Sequence, residues 1–160
     1  MVTQNIPARL LRSRFGSLHI EASSGAFVLL AALVAIATIR LGVLAGAIGA
    51  ALVVISLFIH ELGHLLAAKL CGVRVKAIGF CVKGAYLRRK DSNRAGAELL
   101  IAVGGPLASM LLYLVLRGEI PVFHWVAQLN LVVALSNLLP IPSTDGARIA
   151  RSISTLLATA

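Results

Sequence analysis

His60, Glu61 and His64 fall within five consecutive positions, His60-Glu61-Leu62-Gly63-His64, closing an apolar run over residues 41–59 that holds no charged residue. Four residues along a helix advance it by about 6 Å and rotate it by about 400°, so the two imidazoles share a face and can reach one ion. Glu61 is offset by roughly 100°, outside the ligand pair but close enough to handle a metal-activated water. Two imidazoles one turn apart with an adjacent carboxylate are what a zinc hydrolase requires. Such a pattern fixes only three positions and arises by chance in many soluble helices. In hydrocarbon, however, three titratable groups within five residues are costly, which marks them as functional.

A zinc hydrolase usually adds a third protein ligand and keeps one position open for water. The chain has six acidic residues, and besides Glu61 they are Glu21, Asp91, Glu98, Glu119 and Asp145. Glu21 precedes the first apolar run, Asp91 lies in a basic stretch, Glu98 opens the third run and Glu119 falls at the opposite end of the helices. Asp145 lies beyond the fourth run, at the level expected for His60 and His64. Pro140 and Pro142 stop that run, and Asp145 can cap the helix that follows, so a capping role competes with a ligating one.

The elements that must position these residues are mostly membrane helices. Mean hydropathy is +0.94, with 59% hydrophobic and 13% charged residues, far from a soluble average. Four stretches approach or reach the length needed to cross roughly 30 Å of hydrocarbon. They cover residues 25–39, 41–68, 99–116 and 120–139, the first short enough to need its flanks. A helix over about 146–157 follows. The expectation is an α-helical polytopic membrane protein, a single domain over residues 1–160 with about four transmembrane helices.

The formal net charge of +9 is distributed by topology. With a cytoplasmic N-terminus, the inner segments carry Arg9, Arg12, Arg14, Lys69, Arg74, Lys76, Lys83, Arg88, Arg89, Lys90, Arg94, Arg148 and Arg151. The outer turns carry only Arg40 and Arg117. Thirteen cations against two place both termini in the cytoplasm. Attraction to anionic lipid accounts for the basic balance, and no aromatic-rich basic patch suggests nucleic acid. The long polar lead before residue 25 fits a first membrane helix better than a cleaved signal. Cys71 and Cys81 match no tight zinc pair and read as small buried thiols.

Between the second and third apolar runs the periodicity becomes two. Residues 73–78 alternate apolar and polar, and residues 79–87 continue with glycine breaks, which predicts a hairpin over about 73–87 at the membrane surface. Residues 17–22 also alternate and can add a third strand, with His19 as a strand residue. Residues 88–94 form a solvated basic connection. His124 and Trp125 sit where amphipathic rings anchor helices at an interface.

His60–His64 together with Asn137, Pro140, Asp145 and Gly146 resemble the site-2 protease family of intramembrane zinc metalloproteases. That family pairs H-E-x-x-H on one membrane helix with a distant N-x-x-P-x-x-x-x-D-G, and both spacings are intact here. Gly104-Gly105-Pro106-Leu107-Ala108-Ser109 is similar to its small-residue G-P motif, and residues 15–23 to the strand that leads into the first helix of bacterial members. The likeness extends over about residues 15–151. Thr144 departs from it, standing where many members carry an aliphatic residue, and no PDZ-like or CBS-like domain is recognisable.

The resemblance implies one Zn2+ per chain held by His60, His64 and Asp145, with Glu61 as general base. It implies that Asn137 lines the cleft, against the alternative that it hydrogen-bonds a neighbouring helix. Pro140, Gly105 and Pro106 join it as candidate substrate contacts, while for Gly104 to Pro106 close helix packing is favoured over a loosened helix that admits water. The implied activity is hydrolysis of peptide bonds in transmembrane segments of other proteins, near the cytoplasmic face of a bacterial inner membrane. A locally unwound segment could add as a strand to the predicted hairpin. A silent metal-binding pseudoprotease and a small metal transporter are the other classes. Neither needs a base beside the ligands, and the outer half of the second helix lacks the polar path a transporter requires.

Overall fold

The four apolar runs are helical, and a fifth helix follows them. The computed structural model describes residues 9–15, 18–81, 84–118 and 121–159. In chain order the elements are β1 (Arg9–Phe15), β2 (Leu18–Ser23), α1 (Ser24–Leu41), α2 (Val43–Leu70), β3 (Val75–Cys81), β4 (Gly84–Arg89), α3 (Ala95–Leu116), α4 (Pro121–Leu138) and α5 (Asp145–Ala158). They form two compact units, Met1–Val53 with Lys76–Arg88, and Val54–Val75 with Arg89–Ala160.

The first unit carries a four-stranded sheet in the order β1-β2-β3-β4. The extra strand expected near residues 17–22 is β2, which runs parallel to β3 and sets His19 opposite Ala77. Strand β1, antiparallel to β2, was not expected. Its Leu10-Leu11 pair breaks the period-two pattern, and the register shifts between Arg9 and Leu11 at the same place. The hairpin also divides elsewhere than expected. Gly79 lies within β3, because a Cβ there would come 2.7 Å from the Tyr86 ring and 2.6 Å from the Glu21 carbonyl oxygen. The connection at residues 82–83 lies outside the described residues.

Glu21 ties this sheet together from a fully buried position. Arg88 Nη2 donates to Oε1 at 2.7 Å, and Tyr86 Oη donates to Oε2 at 3.2 Å. A buried carboxylate needs such partners. Partial burial of the phenol and the negative charge of Glu21 both raise the Tyr86 pKa above its ordinary value.

In the second unit α3 packs against α4 and α5, and α4 against α5. Contact between α2 and α3 is unusually close. A Cβ on Gly63 would overlap the Gly104 carbonyl, and one on Gly104 would lie 2.7 Å from the Gly63 oxygen and 2.9 Å from Ala67 Cβ. Small residues allow this approach where a membrane gives little hydrophobic drive for helix pairing. Asn130 on α4, fully buried, donates to Ser56 Oγ on α2 at 3.0 Å, a second tie between helices.

Helices α2 and α3 are long and apolar enough to cross a membrane. Only 22% of the apolar window of α2 and 28% of that of α3 is buried, whereas the core helix of a soluble protein is mostly buried. Val43 and Val115 are 76% and 77% exposed, apolar surface that lipid would cover. Helix α1 is a shorter apolar helix, and α4 is diluted by His124, Gln128, Asn130 and Asn137. Cys71 and Cys81 are unpaired and half-buried, less enclosed than expected, since both lie at strand or helix margins.

Gly104→Val should separate α2 from α3 and cost about 1–3 kcal/mol, the usual penalty of overpacking. Gly96→Ala on the same helix, where a Cβ meets nothing within 4 Å, should be neutral or slightly stabilising. Thermal unfolding of the detergent-solubilised protein measures both.

Candidate metal centre

His60 and His64 project from one face of α2, as four-residue spacing requires, and each is 3% exposed. Asp145, 6% exposed, reaches the same point from the start of α5. Its Oδ2 lies 3.0 Å from His60 Nε2 and 3.0 Å from His64 Nε2, and the two nitrogens are 3.2 Å apart. Donors in tetrahedral array at about 2.0–2.1 Å from a zinc ion would stand roughly 3.3 Å apart, so the triangle is close to the size an ion needs.

The surrounding hydrogen bonds indicate which ring nitrogens face the triangle with lone pairs. His64 Nδ1 is 2.7 Å from the Ile101 carbonyl oxygen, which can only accept, so Nδ1 carries the proton. Gly105 N also lies 3.2 Å from that Nδ1, but the shorter carbonyl contact decides the tautomer. In the neutral ring Nε2 is then an acceptor. His60 Nδ1 lies 3.1 Å from Ser109 Oγ, a hydroxyl that can accept as well as donate; when it accepts, Nδ1 carries the proton and Nε2 is likewise left as an acceptor. Acceptor atoms gathered around one buried point repel one another unless a cation joins them, which is the donor chemistry of a metal site.

Helix α3 supplies these outer contacts from one face, since Ile101, Gly105 and Ser109 are spaced by four. Gly105 lies directly beneath the rings: an added Cβ would overlap His64 and come 2.6 Å from His60 Nε2. Ser109 and the Ile101 carbonyl were not singled out from sequence, although the four-residue spacing from Gly105 carries the signal.

The chain segment before Asp145 is a tight turn. Thr144 N donates to the Ile141 oxygen at 3.1 Å, with Pro142 and Ser143 between them. Ser143 has φ +79°, the left-handed value a type II turn needs at its third position. Thr144, not Asp145, is the N-cap of α5. Its hydroxyl donates to the Ile141 oxygen at 2.7 Å, so the residue that departs from the family pattern fastens the turn. Asp145 is the first helical residue, its carboxylate free of capping and aimed at the histidines. Gly146 is required because a Cβ would come 2.6 Å from the Leu139 oxygen and overlap the end of α4.

Burial raises the Asp145 pKa, but when the imidazoles carry a proton at Nε2 their hydrogen bonds and charge outweigh it and hold the carboxyl well below the ordinary carboxylate range. A cation shared by the three donors would act in the same direction. Arg148 Nη1 lies 3.5 Å from the other oxygen, Oδ1.

Glu61 is 8% exposed and couples electrostatically to His64, His60, Asp145 and Arg148. The remaining expected residues are dispersed. Asn137 is half-buried and its Nδ2 donates to the Val133 oxygen of its own helix at 2.9 Å, not to a neighbouring helix. Pro140 is exposed in the turn region, and Pro106 is buried within α3. Among the described residues, His60, His64 and Asp145 are the cluster that could hold a metal.

Residues 48–120 match Peptidase family M50. A protein of Synechocystis sp., named provisionally as a zinc metalloprotease, is 34% identical over 119 residues, covering 68% of this chain and 31% of that protein. A zinc metalloprotease of Methanocaldococcus jannaschii is 32% identical over 112 residues, covering 64% of this chain and 33% of that protein. The chain therefore spans about a third of the length of these relatives. A solved site-2 protease from Methanocaldococcus jannaschii superposes with a TM-score of 0.75 at 27% identity, covering 94% of this chain and 72% of that one.

Asp145→Ala should strip most zinc from the purified protein, and Gly105→Ala should lower its content by pushing the imidazoles apart. Elemental analysis of both variants, with helicity checked by circular dichroism, tests this. Undiminished zinc in Asp145→Ala would leave that residue a helix-terminal role only.

Proposed function

Since the chain belongs to peptidase family M50 and has the fold of a site-2 protease, we propose that it is a zinc-dependent intramembrane endopeptidase. Its substrates are other proteins, cut in or beside their membrane-spanning segments. The observation that carries this reading is the convergence of His60, His64 and Asp145 beside the buried Glu61.

His60 Nε2, His64 Nε2 and Asp145 Oδ2 would hold one zinc ion per chain. When bound, zinc supplies a Lewis acid that acidifies water to a pKa near about 7 and polarises a peptide carbonyl. The Glu61 carboxylate takes the proton of the attacking water and returns it to the leaving amine nitrogen. His64 and His60 are kept in orientation by the Ile101 carbonyl and Ser109. A transporter or a silent binding protein has no use for a carboxylate at position 61, which favours hydrolysis.

In this reading α1 and α4 cross the bilayer with α2 and α3. Both termini are cytoplasmic, in the inner membrane of a bacterium, and the site opens near the cytoplasmic face. A helical substrate shields its own peptide bonds, so it must unwind locally. The unwound strand adds to the edge of the sheet at β4, and the half-buried Asn137 and exposed Pro140 are candidate contacts for it.

Glu61→Gln should retain zinc yet lose about 10²–10⁴-fold in cleavage of a purified membrane-spanning substrate, the usual contribution of a general base. Cleavage at the wild-type rate would eliminate the mechanism. Proline at Ala85 or Leu87 should reduce cleavage with zinc content unchanged; full activity in the folded variants would remove strand addition.

A further inference from the structure

Arg148 bridges two carboxylates. Its Nη1 is 3.5 Å from Asp145 Oδ1, and its Nη2 is 3.8 Å from Glu98 Oε2. Glu98 is itself immobilised: Arg89, whose side chain is 4% exposed, grips both its oxygens at 2.8 and 2.6 Å, and Ser92 N donates to Oε1 at 2.6 Å. The row of charges thus alternates from Arg89 through Glu98 and Arg148 to Asp145. Glu98 also lies on the α3 face that carries Ile101, Gly105 and Ser109. Each of the three candidate ligands therefore has its outer support on one face of one helix, Asp145 through Arg148.

A carboxylate free at both oxygens can rotate and offer a metal either or both of them. With Oδ1 drawn to Arg148, only Oδ2 is presented to the two imidazoles. We propose that Arg148, anchored by Glu98 and Arg89, is a positioning residue that keeps Asp145 a one-oxygen ligand and leaves a fourth position open. This rests on the zinc-centre reading above. The two effects Arg148 can have on zinc differ in sign. A guanidinium near a divalent cation repels it, so charge alone predicts tighter zinc once Arg148 is removed. Loss of an outer partner that orients a ligand instead weakens zinc by about 10–100-fold. The Arg148 side chain is 32% exposed, so solvent screens that repulsion and orientation prevails.

The experiment is zinc affinity by chelator competition on the full chain in detergent, with helicity checked for every variant. Arg148→Ala should bind zinc about 10–100-fold more weakly. Arg148→Lys, which keeps the charge but loses the planar fork, should recover part of that loss. Glu98→Gln should weaken zinc in the same direction by a smaller factor. In an Asp145→Ala background, Arg148→Ala should add less than about 2-fold, since its effect passes through Asp145. Substituting Co2+ should give a visible spectrum that Arg148→Ala alters, a sign of changed ligand geometry. Unchanged or tighter zinc in Arg148→Ala, or equal losses in both backgrounds, overturns the proposal while leaving the metal centre intact. A wild-type chain that binds no zinc overturns both.

Discussion

Three acceptor atoms held about 3 Å apart in apolar surroundings are the constraint that the second unit is arranged around. Left alone, such a group would relax by rotating its side chains or by taking up protons. Each rotation is blocked. His64 is tethered to a carbonyl, His60 to a hydroxyl, and Asp145 leaves a turn whose left-handed residue and capping threonine set its direction. These tethers fix the direction of each donor, and fixed donors lower the cost of reorganisation on binding an ion.

Helix α3 meets two demands with one set of small residues. Gly104 allows α2 to approach, and Gly105 makes room for the imidazoles that this approach brings in. A bulkier residue at either place would disturb packing and site together. Pro106 is buried within the same stretch, where its ring removes a backbone donor without ending the helix. Stability and chemistry are therefore coupled along a few turns of one helix.

Much of this was legible from sequence because its signals are local or topological. The H-E-x-x-H spacing follows from helix geometry, and the apolar runs located the helices to within a few residues. Asp145 stood out among few acids. Strand β1 was not legible, since adjacent leucines and a register shift hide its alternation. Glu98 was read as a helix-opening residue because its partner Arg148 lies fifty positions away, a separation only the fold closes. Thr144 departs from the family pattern, and only the fold shows that its hydroxyl fastens the turn before Asp145. Gly79 was read as a break because a glycine needed for close approach and one needed for a turn look alike in sequence.

Asp145 follows His64 by 81 residues, and the first turn of α5 can settle only against the finished end of α4. While the chain is being made and inserted, the α2 histidines exist as a bare pair, a weak ligand set with no third anion. The three-donor cluster comes into being only when α5 docks. Under the proposed hydrolytic function, order of synthesis would thus act as a safeguard, because a half-inserted chain would hold Glu61 without the complete donor set and would have no means of cutting its neighbours.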